Sequence, residues 1–168
     1  MRLTLLLFLA LSLLPLQASA KQQDDLNMLS FSTLPVLHAG RVKPLDSFAR
    51  VMLKTFSGKD HLDNQSASRW LAESLFDPAG AVEKPLFKIF DGDRLGLPEK
   101  SDKLYSYMDV ARAVQSKEET IKTLLDTSEA SWTAEQKNLI TLYDNFIMYT
   151  QILRSLTLIL PLDTDAND

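Results

Sequence analysis

The amino-acid sequence predicts a mainly α fold: a single-domain helical bundle with one or two short β segments and a long C-terminal helix. Three observations predict it. Capping boxes, a Ser or Thr followed three residues later by an acid or amide, recur at Ser106/Asp109, Ser116/Glu119 and Thr133/Gln136. Apolar residues return at helical spacing from Leu139 to Ile159. Only Phe31–Val36 and Lys84–Phe90 have the short apolar character of extended chain.

Residues 1–20 stand apart from that fold. Arg2 precedes an apolar run, "LTLLLFLALSLLPL", and a small-x-small sequence, Ala18-Ser19-Ala20, closes it. That pattern is a secretory signal peptide, with an uncleaved N-terminal anchor as the alternative. The run is short for a membrane span, which needs about 20 residues. Without a Cys after the small residues the leader is not that of a lipoprotein. The expected mature chain begins at Lys21, and loss of Arg2 moves its net charge from −4 to −5. A mildly acidic surface argues against nucleic acid and anionic lipid as partners. The chain has no cysteine. Disulfides, thiol redox chemistry, thiolate metal sites and the C-x-x-C-H haem attachment are therefore excluded. Export without cysteine points to a bacterial periplasm, where the core alone must hold the fold.

Lys21–Ser30 is a polar, flexible lead-in to a domain spanning residues 31–161. Phe31–Val36 is extended, Gly40 permits a turn, and Pro44 pushes Lys43 toward extended geometry. Asp46 is the expected N-cap of a helix over Ser47–Phe56, with Phe48, Val51, Met52 and Thr55 on one side. Gly58 ends it in a left-handed turn. A second helix, Gln65–Phe76, is capped by Asn64 or Ser66 and buries Trp70, Leu71, Leu75 and Phe76. Asp77–Gly80 is turn chemistry. Lys84–Phe90 is an edge strand, marked so by Pro85, and Asp93–Lys103 a loop.

The three capping boxes then open helices ending near Ala113, near Asp126 and at Leu160, before Pro161. The last would reach roughly 40 Å. Its apolar residues cover more than one face, so it is central or offers a surface to another molecule. Glu135, Lys137, Asp144, Gln151 and Arg154 interrupt it too often for a membrane span. Residues 162–168 form an acidic, disordered tail.

Few residues suggest chemistry. Of the two histidines, His38 lies in an ordered turn and is a candidate haem contact, whereas His61 sits in a polar loop. No second ligand at metal-binding spacing accompanies either, so no metal site is expected. Arg41, Lys43 and Arg50 are candidates for an anion pocket or partner contact, together with Gly40, Pro44 and Asp46. The alternative is that Arg41 or Arg50 pairs with Asp46 and fixes the turn. Ser57 lacks a nucleophile elbow. Asp91/Asp93 and Glu118/Glu119 sit where carboxylates do local turn and helix-start work. Trp70 and Trp132 suit a core better than a cofactor box. The chain is not expected to be an enzyme.

"LPVLHAGRVKPLDSFARVMLKTFSGK", Leu34–Lys59, resembles an extracytoplasmic segment of fused System II cytochrome c assembly proteins. These are of the CcsA/ResC type with a ResB-like part, and they move haem across a membrane and attach it to apocytochrome. "WLAESLFDP", "PLFKIF", "LGLP" and "LYSYMDV" look similar too, so the resemblance spans Phe31 to Pro161. The family's membrane helices, its tryptophan-rich haem motif and its membrane-side histidines have no counterpart in these residues, so the chain is either a separately encoded subunit or a piece of a longer ancestral protein. Only the segment Leu34–Lys59 carries over, without haem transport. The resemblance implies an exported, non-enzymatic accessory subunit of cytochrome c maturation. It would meet a CcsA/ResC-like membrane protein, or apocytochrome c, and reach the membrane only through that partner. The alternatives are a stand-alone periplasmic haem- or anion-binding carrier, with His38 as ligand, and an exported structural protein.

Overall fold

Asn27 caps the first described helix. Its side-chain oxygen accepts from the Ser30 amide at 3.0 Å and caps a short helix α1, Met28–Thr33, which buries Phe31. The computed structural model describes residues 26–62 and 64–156. The leader, the lead-in as far as Asp25, and the acidic tail lie outside them. The sequence expectation placed lead-in and extended chain where α1 forms; the Asn27 cap makes the helix favourable, and only Pro35 onward is strand.

Two four-residue strands follow, β1 (Pro35–His38) and β2 (Arg41–Pro44), paired as an antiparallel hairpin. Helix α2, Leu45–Ser57, starts directly from β2. Pro44 is its N-cap residue, with no side-chain cap, and Asp46 stands in the first turn. The expected Asp46 cap is thus corrected: the strand runs to Pro44, so the helix begins before Asp46 can cap it. Asp46 still favours the positive helix end. The buried face is also turned by about one residue from expectation. Ala49, Met52, Leu53 and Phe56 are buried, while Val51 and Thr55 face water. Gly58 closes α2 in the left-handed region, φ 75°, its amide donating to the Lys54 carbonyl at 2.9 Å.

A two-residue pairing of β3 (His61–Leu62) with β4 (Gln65–Ser66) leads to α3, Ala67–Phe76, capped by Ser66. Phe76 is outside the buried face, half-exposed beside the Phe31 ring. Asp77 caps a single turn, α4 (Pro78–Ala81), where a plain turn was expected. Strand β5 (Pro85–Lys88) pairs with β6 (Leu104–Ser106), a partner not foreseen from the sequence. The loop between them is anchored by buried Leu95 and Leu97 and by Lys100, which donates to Asp109 at 2.7 Å.

Helix α5, Tyr107–Ser116, and helix α7, Ala134–Arg154, both open with complete capping boxes. The expected Ser116/Glu119 box does not form. Ser116 is still in the last turn of α5 and donates to the Ala113 carbonyl at 2.8 Å, and α6, Glu118–Leu125, starts from Lys117. A helix running straight into the next leaves no extended cap residue for the box. Helix α7 ends at Arg154, short of the expected Leu160; residues 157–160 lie outside the described ones.

The fold is mainly α, but not a clean bundle: three two-stranded sheets interleave with the helices, against the one or two β segments expected. Helix α7 runs across α3, α5 and α6. Tyr149 on it lies at the centre of an aromatic cluster, stacked on Trp70 (16° between planes) and within 6.0 Å of the Phe56, Phe87 and Tyr107 rings. No helix among the described residues is long and apolar enough to cross a membrane.

Candidate functional site

The hairpin turns in two residues, Ala39 and Gly40, at φ 52° and 72°. Two successive left-handed residues are the turn whose twist matches a right-twisted strand pair. Gly40 serves backbone conformation, not space, because nothing lies within 4 Å of an added Cβ. At its base the hairpin is tied to α2 by the Leu45 amide, which donates to the Leu34 carbonyl at 2.8 Å.

Cross-strand register sorts the side chains into two faces. Leu37 lies opposite Val42, and Pro35 opposite Pro44. This face looks outward: Leu37 and Val42 are each 71% exposed, and both prolines are exposed. The other face carries Val36, Lys43, His38 and Arg41. Of these, Val36, His38 and Lys43 are half-buried and Arg41 is exposed. The usual order of a solvated hairpin, polar out and apolar in, is therefore reversed.

His38 meets the Phe48 ring edge-on, with centroids 5.2 Å apart, and its Nδ1 lies 3.2 Å from the Lys43 Nζ. An ammonium can only donate, so Nδ1 accepts and the neutral ring keeps its proton on Nε2. A haem iron would need the Nε2 lone pair, and a ligating imidazole ordinarily donates its other N–H to a carboxylate or carbonyl. Among the described residues no group of three or more His, Asp or Glu is placed to hold a metal ion.

The expected cation group is divided. Arg50 donates from Nε to Asp46 at 2.7 Å and stands 3.9 Å from Asp60, while Lys43 turns to His38. Asp46 also accepts from the Ser68 hydroxyl at 2.6 Å, which ties α2 to α3. The Ser68 hydrogen bond and then the Arg50 guanidinium hold the Asp46 carboxyl below its ordinary range. His61 is two-thirds exposed and contacts Asp60. Trp132 donates to the Thr127 hydroxyl, and Trp70 is core.

Beneath the inner face of the hairpin lies a cleft of about 500 Å³ that sequence reasoning missed. Val36 and His38 form one wall, and Leu45, Phe48 and Met52 of α2 the floor. Leu71 and Leu75 of α3, Met148, Gln151 and Ile152 of α7, and Ser155 and Leu156 just past its end complete it. Among the described residues no acidic one lines it. No family model matches this chain, and no curated protein matches it. The signal that would have found the hairpin is local: two four-residue apolar-basic runs separated by a two-residue Ala-Gly link. The cleft has no such signal, since it needs the relative placement of three helices.

Proposed function

We propose that this protein is an exported, non-enzymatic accessory subunit of cytochrome c maturation. It docks through the outer face of its Pro35–Pro44 hairpin onto a CcsA/ResC-like haem-handling membrane protein, and reaches the membrane through that partner. The observation that carries this reading is the exposed apolar pair Leu37/Val42 on the segment that bears the family resemblance. Burying the pair would contribute about 3–5 kcal/mol of apolar transfer, enough to favour a contact. A hairpin that met only solvent would gain nothing from presenting leucine, valine and two prolines outward. Gly40 and Arg41 stand at the tip and would meet the partner first, while Lys43, Asp46 and Arg50 hold the hairpin and α2 in place.

A stand-alone haem carrier is the weaker reading, because His38 Nδ1 meets the Lys43 ammonium, where a ligating imidazole ordinarily meets a carboxylate or carbonyl. The test is site-specific photocrosslinking in cells. A crosslinker at Leu37 or Val42 should capture a multi-span cytochrome assembly protein, and one at the exposed Glu119 of α6 should not. Equal capture from both places, or none from the hairpin, rejects the docking face.

A further inference from the structure

The cleft under the hairpin combines two properties that together specify a ligand class. Its walls are apolar, with Phe48, Met52, Leu71, Met148 and Ile152 contributing, and its volume of about 500 Å³ suits a small molecule. Two methionines give it walls that adapt to an irregular apolar chain. At the hairpin end, among the described residues, the titratable side chain that lines the cleft is a histidine, with a lysine beside it. His38 lines the cleft, and Lys43 lies one hydrogen bond behind it. Arg41 shares their face of the hairpin.

The His38–Lys43 contact fixes the polarity of that end. Because Nδ1 accepts from the ammonium, Nε2 presents an N–H, and the Lys43 ammonium keeps further protons to donate. The opposite end, at Gln151 and Ser155, lies at the carbonyl terminus of α7, whose last turn also carries Arg154. The cleft thus has an apolar trough and a donor-bearing mouth, and among the described residues its lining holds no carboxylate.

We propose that this cleft binds a long-chain carboxylic acid, its acyl chain along α2 and α7 and its carboxylate at His38 and Lys43. The site faces away from the docking surface of the hairpin, so it stands or falls apart from the partner reading.

The experiment is displacement of a dansyl-labelled undecanoic acid from the purified full chain by unlabelled ligands. Octanoate, decanoate and dodecanoate should bind in rising order, by about fourfold per methylene at most. Dodecanol should bind about tenfold more weakly than dodecanoate. Lys43→Glu should reduce dodecanoate binding by at least that factor while leaving dodecanol unchanged. Met148→Trp, which fills the trough, should abolish both; Leu75→Phe serves if that variant loses its thermal transition. Lys122→Glu, on the far helix α6, is the neutral control. Absence of binding, equal affinity for acid and alcohol, or binding indifferent to the filled trough overturns the proposal.

Discussion

The hydroxyls of Ser74 and Tyr149, 75 residues apart in sequence, meet at 3.0 Å in the buried centre of the protein. The Ser74 hydroxyl donates to the Trp70 carbonyl at 3.0 Å, so the Tyr149 hydroxyl donates to Ser74 and neither is left without a partner. Burial, the larger influence, raises the phenol's pKa against the opposing Ser74 contact. Tyr149→Phe keeps the ring and removes the hydroxyl, leaving Ser74 its carbonyl. It should cost about 1 kcal/mol, read as a shift in urea midpoint with unchanged slope. Tyr149→Ala empties the middle of the aromatic cluster and should cost about 3–5 kcal/mol. A loss under 1 kcal/mol for the alanine variant would place Tyr149 outside the core.

Asp46 gives stability a pH dependence with a definite sign. Its folded pKa is lowered, first by Ser68 and then by Arg50, so the unfolded chain takes up the proton more readily. The contribution is present above the unfolded value of about 3.9 and is lost as acid carries the pH through the folded one. Asp46→Asn should therefore flatten the loss of stability below about pH 4. At neutral pH the variant should be less stable by about 1 kcal/mol, since one third of the carboxylate is exposed and screened. Parallel stability curves for the two proteins would show that Asp46 is not so held.

The serines that look alike in sequence should differ in effect. Ser106→Ala removes a complete capping box, in which Asp109 is also held by Lys100 and Arg112, and should cost about 1 kcal/mol. Ser116→Ala removes a hydroxyl bonded only to the carbonyl of Ala113 and should cost less than about 0.5 kcal/mol. Chemical denaturation of the pair decides it; equal losses would mean that α6 is capped by Ser116 after all.

Gly58→Val should destabilise by about 1–2 kcal/mol, from backbone alone. Nothing lies within 4 Å of the added Cβ, so crowding contributes nothing. A neutral result would deny the left-handed cap.

Signals confined to a few neighbouring residues were legible in the sequence. Gly58, the Ser106/Asp109 and Thr133/Gln136 boxes and Ser66 each act through the chain within four residues, and each was found where the sequence placed it. Ser116/Glu119 has the same letters, but Lys117 carries the chain from one helix directly into another. Asp46 misled for a related reason: the strand end at Pro44, set by pairing with Pro35, decides where α2 begins. Pairing was the larger blind spot. Leu104–Ser106 is strand only because Pro85–Lys88 lies beside it. Of the candidate site, the Gly40 turn and the Asp46–Arg50 pair were within reach of sequence, as the latter is an i,i+4 contact. The cleft and the outward direction of Leu37 and Val42 depend on where helices far apart in the chain come to rest.

The position of Tyr149 on α7, later in the chain than the rings around it, sets an order of events for a newly made chain. Phe56, Trp70, Phe87 and Tyr107 all emerge from a ribosome or a translocation pore before the residue that gathers them. Until α7 is out, these rings have no common partner, and the earlier hairpins and short helices hold too little apolar surface to persist by themselves. The nascent polypeptide should consequently stay pliable, and sensitive to protease, until its final long helix is released, and then close in one cooperative step.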